Sequence, residues 1–135
     1  MMALTNFTVT GTFKAIITDG SDEGADPDIQ LISGTATFTP SIREAATPDA
    51  LYRLQPITGR MNEDGILKTL NDDVGVKLTC GDDTEGEPLF GLTYRVDFTN
   101  VVYDKQSNQR IEPFRFTAPT TDTTVDIATV PRIPL

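Results

Sequence analysis

The side chains of this chain best able to do chemistry are carboxylates. Asp19, Asp22, Glu23, Asp26 and Asp28 crowd the stretch Asp19-Gly20-Ser21-Asp22-Glu23-Gly24-Ala25-Asp26-Pro27-Asp28. Oxygen-rich loops of this kind can hold calcium. The spacing half resembles an EF-hand loop. Asp19, Ser21, Glu23 and Gly24 fall at suitable positions, but Gln30 stands where a bidentate glutamate belongs. No helical periodicity flanks the stretch, so it reads as a solvated loop. If calcium did bind, Asp19, Asp22, Asp26 and Asp28 would be the ligands. A second acidic stretch, Gly81-Asp82-Asp83-Thr84-Glu85-Gly86-Glu87-Pro88, reads the same way. Neither stretch is assigned as a metal site, and no cofactor is expected.

Other chemistry is thin. The chain has no histidine, which removes Ser-His-Asp and Cys-His catalysis, His-ligated zinc and the commonest general base. Cys80 is the single cysteine, so it can form neither an internal disulfide nor a cysteine zinc site. It continues the alternating run Val74, Val76, Leu78, and its neighbours Asp82 and Asp83 would not activate a thiol, so it reads as a buried small hydrophobe. A glycosidase needs two carboxylates flanking a sugar cleft. Sugar clefts also favour aromatic platforms, yet tryptophan is absent and Tyr52, Tyr94 and Tyr103 are scattered. Tyr94 shares an apolar strand face and reads as core; Tyr103 ends a strand, where a phenol can face solvent. No GxGxxG, Walker A, GxSxG or HExxH motif occurs. A non-enzymatic role is expected.

The elements that carry these residues read as strands. Leu92, Tyr94, Val96 and Phe98 alternate with Thr93, Arg95, Asp97 and Thr99, the period of a half-buried strand. A polar bridge over 104–109 breaks the pattern, and Phe114 and Phe116 resume it, which predicts a long antiparallel hairpin over 92–118. Phe7, Val9, Phe13, Ala15 and Ile17 line one face of a long first strand that Gly11 can bend. Gln30 to Thr39 alternates until Pro40 ends it. Ser41 to Leu51 is the one helix-tolerant stretch, limited by Thr47-Pro48 to a turn or two. Leu54 to Met61 reads as a strand, Asp64-Gly65 as a hairpin turn, and Ile66, Leu67 and Leu70 as the returning strand. Val74 to Cys80 follows, and Val125, Ile127 and Val130 begin a last strand closed by Pro131 and Pro134. The pattern predicts an all-β chain, an antiparallel β-sandwich of about eight strands, Ig-like or jelly-roll-like. Phe13, Phe38, Val96, Phe98, Phe114 and Phe116 are expected in one core.

Composition agrees. A chain of 135 residues, 38% hydrophobic, with 10 glycines and 9 prolines, fits a single β-sandwich domain over residues 1–135. The formal charge of -9 argues against a duplex nucleic-acid partner and suits solubility at high copy number. No apolar run reaches the length of a membrane span and no signal peptide is evident, so no membrane partner is expected. The chain is expected to be made in a cytoplasm and to act by assembly.

Several short runs also carry a resemblance. They are Thr8-Val9-Thr10-Gly11-Thr12-Phe13 with Ala15 and Ile16, Asp26-Pro27-Asp28, and Gly34-Thr35-Ala36-Thr37-Phe38-Thr39-Pro40. They continue with Pro56-Ile57-Thr58-Gly59-Arg60 before Asp64-Gly65, then Leu92 to Phe98, Pro113-Phe114, and Thr124-Val125-Asp126-Ile127. Their succession over nearly the whole chain resembles a family of small β proteins of tailed actinobacterial phages, described as minor tail proteins. The resemblance implies a non-enzymatic virion component, at the tail tip or on a fibre, or on the capsid as a decoration protein. It carries over no catalytic residue. Its implied partners are other phage structural proteins and further copies of the chain, a trimer being favoured. A host surface glycan, bound by a carbohydrate-binding adhesion module, is a further candidate. The charge of -9 slightly opposes self-association at low salt, so oligomerisation is expected to strengthen as salt screens the repulsion.

Overall fold

The structure, a computed structural model, describes residues 5–17, 28–48, 50–62, 64–103, 106–109 and 111–133. The alternating runs become β1 (Asn6–Thr10), β2 (Lys14–Ile17), β3 (Asp28–Leu31), β4 (Ser33–Pro40), β5 (Glu44–Ala46), β6 (Leu51–Arg53) and β7 (Ile57–Met61). They continue as β8 (Leu67–Lys68), β9 (Val76–Thr79), β10 (Thr93–Tyr103), β11 (Gln106–Gln109), β12 (Phe114–Thr117) and β13 (Thr124–Asp126). The chain is all-β, with no helix among the described residues. The strands outnumber the expected eight because several alternating runs are cut where the chain changes sheets.

The larger sheet has the order β11-β10-β4-β7-β8, with β12 also on β10; the smaller has the order β13-β1-β9. The two face each other, as in a β-sandwich. The Phe7 ring of β1 lies 5.9 Å from Tyr94 and 6.4 Å from Phe116, across the interior. The strand β10 organises the larger sheet. It pairs antiparallel with β12 in the register Tyr94↔Phe116 and Val96↔Phe114, and with β4 in the register Val96↔Phe38 and Phe98↔Ala36. Side chains alternate faces along a strand, so these partners share the inner face. Tyr94, Val96, Ala36, Phe38, Phe114 and Phe116 are all buried there.

The hairpin predicted over 92–118 therefore forms. It also runs further than the polar bridge suggests, because β11 pairs with β10 through Val101↔Gln109 and Tyr103↔Gln106. Phe13 joins the core as expected, but Phe98 is only half-buried. Its ring touches Phe13 at 5.5 Å and Phe114 at 6.3 Å. The β4–β10 register slips between Thr99 and Val102, and Val101, not Asn100, is the next buried residue after Phe98.

Three local expectations change. The long first strand is cut at 11–13: β1 joins the smaller sheet, while β2 pairs with β3. The described residues of 41–51 contribute no helix. Glu44↔Arg53 and Ala46↔Leu51 pair across a hairpin whose connection is closed by Thr47, its N–H donating to the Ala50 carbonyl at 2.8 Å. Pro48 suits the second position of such a turn, where its fixed φ is already correct. Leu70 lies exposed in a turn, outside the strand expected to hold it. The Asp64-Gly65 turn is as read: Gly65 has φ +73°, and its N–H donates to Asn62 O at 2.9 Å. The sheets are antiparallel except for β1 and β13, which run parallel in the register Thr8↔Thr124.

Candidate functional site

The register that buries one face of the larger sheet exposes the other. Thr99, Thr35, Arg60 and Lys68 fall in one row across β10, β4, β7 and β8. Asp97, Thr37 and Thr58 form the next row, and Arg115, Arg95 and Thr39 the third. These side chains are half-buried or exposed. Its threonines suit the pleat and have few rotamers to lose. Two open depressions mark it. One, of about 670 Å³, is lined by Ser33, Thr35, Arg60, Asn62, Asp64 and Lys68, among others. The other, of about 260 Å³, is lined by Thr39, Pro40, Ser41, Thr93, Arg95 and Arg115.

The first depression is braced by ion pairs. Arg60 donates to Asp72 Oδ1 at 2.8 Å, and Asn62 donates to the same oxygen at 3.1 Å. Lys68 Nζ donates to Asp64 Oδ2 at 2.6 Å, and the Ile66 N–H donates to Asp64 Oδ1 at 3.1 Å. Lys68, then the Ile66 amide, hold the Asp64 carboxyl below its ordinary value, and Arg60, then Asn62, do the same to Asp72. These carboxylates are thus committed to partners within the fold. In the second depression, Ser41 Oγ accepts the Thr93 N–H at 3.0 Å and the Ser41 N–H donates to Thr93 O at 2.9 Å, which fixes the floor. Arg95 Nε reaches both Asp97 oxygens at 3.1 Å.

The residues singled out from sequence are dispersed. Cys80 is buried, and its thiol donates to the Thr121 carbonyl at 3.4 Å, as fits a small core residue. Tyr94 is in the core, where its phenol donates to Thr79 O at 2.8 Å. Burial pushes its pKa up to about 12. Tyr52 lines a separate depression with Leu54 and Ile57. The side chain of Tyr103 and the acidic residues 19–26 lie outside what is described, as does the Asp28 side chain. The second acidic loop is described. Asp82 Oδ2 accepts the Leu89 N–H at 2.8 Å and the Asp82 N–H donates to Leu89 O at 3.0 Å, which ties the loop shut. Asp83, Glu85 and Glu87 then point into solvent. Among the described residues, no three His, Cys, Asp or Glu side chains converge as a metal cage would need.

Sequence reasoning placed Arg95 on the polar phase of its strand but did not single out Arg60 and Arg115, which share that face. The signal was the alternation itself: Arg95, Arg60 and Arg115 each occupy the polar phase of a strand. Comparison with protein-family models, curated proteins and solved structures gives no match.

Proposed function

We propose that the chain is a non-enzymatic structural subunit of a phage virion, a minor tail component used in repeated copies. The observation that carries an assembly role is the outer face of the larger sheet. It is broad, and its threonines Thr35, Thr37, Thr39, Thr58 and Thr99 are short side chains with few rotamers to lose on contact. The hairpin β5–β6 adds a second contact element: it forms a two-stranded sheet of its own, with Leu51 66% exposed. The phage setting rests on the resemblance described above. So does the choice of tail over capsid, and of a trimer among oligomers. Mass spectrometry of purified particles from the phage encoding the chain should find it in the virion, and immunogold labelling should mark the tail. Labelling of the head would make it a decoration protein, and absence from particles would refute the reading.

A further inference from the structure

On the side of β10 away from β4, β12 pairs with the Thr93 end and β11 with the Tyr103 end, so β12 is an edge strand of the larger sheet. An edge strand offers its unpaired backbone groups to any strand that can lie beside it. The ladder fixes which groups these are. The Ala118 N–H donates to Leu92 O at 3.0 Å, and in an antiparallel pair such bonded positions recur at every second residue. Phe116 and Phe114 therefore bond to β10, while the backbone groups of 113, 115 and 117 point away from it. Pro113 has no N–H to offer. Thr117 is exposed. Arg115 is covered: its N–H donates to Ile133 O at 3.3 Å, and its carbonyl accepts the Ile133 N–H at 2.8 Å.

The segment that makes this contact is placed by its own sequence. Asp126 turns the chain after β13, its carbonyl accepting the N–H of Thr129 at 3.1 Å and of Val130 at 2.9 Å. Val130 packs against the core. Arg132 then sets its guanidinium over the Phe114 ring, 4.0 Å from its centre, where the negative face of the ring attracts a cation. The Ile133 N–H and C=O both face Arg115. Between Pro131 and Pro134, which have no N–H, only Arg132 has a backbone donor left over. A segment of that kind covers an edge and offers little for a further strand to pair with.

We infer that residues 131–133 are an edge guard: they occupy the outward backbone pair of β12 and keep a strand of a second copy of this chain from adding there. The guard is independent of the virion reading above. It ends the larger sheet at that edge, however the chain assembles elsewhere. Its hold on β12 is two hydrogen bonds near the surface, so it opens more readily than the β10–β12 pair beneath it.

Amide exchange on the full-length chain reads the contact directly. Relative to their intrinsic rates, the Arg115 N–H should be protected and the Thr117 N–H on the same edge should exchange about tenfold faster. Equal rates would mean that no guard is in place. Ile133→Pro removes the N–H that the Arg115 carbonyl accepts. It should release the protection of Arg115 and give species larger than the parent in light scattering and sedimentation, with circular dichroism confirming an all-β fold. Ile133→Gly loosens the same contact and should act in the same direction, more weakly, which serves where Ile133→Pro does not fold. Adding Thr117→Pro removes one of the two N–H groups that the bared edge can offer and should return either variant to the parental size. If neither folded variant exceeds the parental size, the guard is overturned. Association that Thr117→Pro leaves unchanged also overturns it, because the new contact then lies away from β12. Neither result touches virion membership, which mass spectrometry of purified particles decides.

Discussion

The two faces of the larger sheet are made by the same strands, yet they obey different rules. Inward, Phe38, Val96, Tyr94 and Phe116 are no more than 2% exposed. Outward, Thr37, Asp97, Arg95 and Arg115 stand in the same registers and are half-buried or exposed. Moving one residue along β4, from Phe38 to Thr37, crosses from a site where a methylene matters to one where it hardly does. Stability is therefore held mainly on the inner face, and folding constrains the residue types of the outer face less tightly.

Substitutions should separate the faces in order of size. Phe38→Ala removes a ring with no exposed surface and should cost about 3–5 kcal/mol in urea unfolding. A loss under about 1 kcal/mol would mean the inner face is not the core. Gly59→Ala probes the same face in the opposite sense. A Cβ there would sit 2.7 Å from Val76 Cγ2 and 2.8 Å from the Lys68 carbonyl oxygen, so β8 must shift. The expected cost is about 1–3 kcal/mol, and a neutral result would show that the two sheets can part freely at that point. Phe98→Ala should fall lower, at about 1–2 kcal/mol, because the ring is only half-buried. A loss as large as that of Phe38→Ala would place it fully inside.

Titration offers a finer test. The Tyr94 phenol, inside, has its pKa raised to about 12 by burial. A raised folded value means the stabilisation is whole below the unfolded pKa of about 10 and is lost as pH climbs from there. Tyr94→Phe should remove that alkaline loss in unfolding curves taken across the range; an unchanged curve would count against burial as its cause. Asp64 and Asp72, at the outer edge, have lowered values, so their contribution is present above the unfolded carboxyl pKa of about 4 and is lost as pH falls below it. Asp72→Asn should flatten the acid limb slightly, the pair being exposed. Smallest of all is Thr37→Ala, outside, expected within about 0.5 kcal/mol of the parent.

Two hairpins show how far local reading reaches. The turn between β7 and β8 was legible because Asp64-Gly65 has its own chemistry: Gly65 needs a positive φ that other residues resist. The β5–β6 hairpin was not, since Arg43-Glu44-Ala45-Ala46 tolerates a helix equally well. Only the pairing with Leu51–Arg53 and the closure at Thr47 decide it. Cys80 and Tyr94 were legible as core residues from their phase in an alternating run. Phe98 has the same phase yet is only half-buried, beside a register slip in β10 that no local pattern announces.

Period-two alternation and turn residues are properties of neighbours along the chain, and they suffice for an all-β protein, for the 92–118 hairpin and for the inward phase of each strand. Which strand lies beside which is a property of distant segments. Thr8 meets Thr124 in a parallel pair, and Arg95 meets Arg115 across a hairpin. Lateral pairing is chosen by the fit of whole faces in the interior, where apolar burial is greatest. The outer residues are carried into their rows by that choice, so the arginine pair and its depression exist only in the folded sheet.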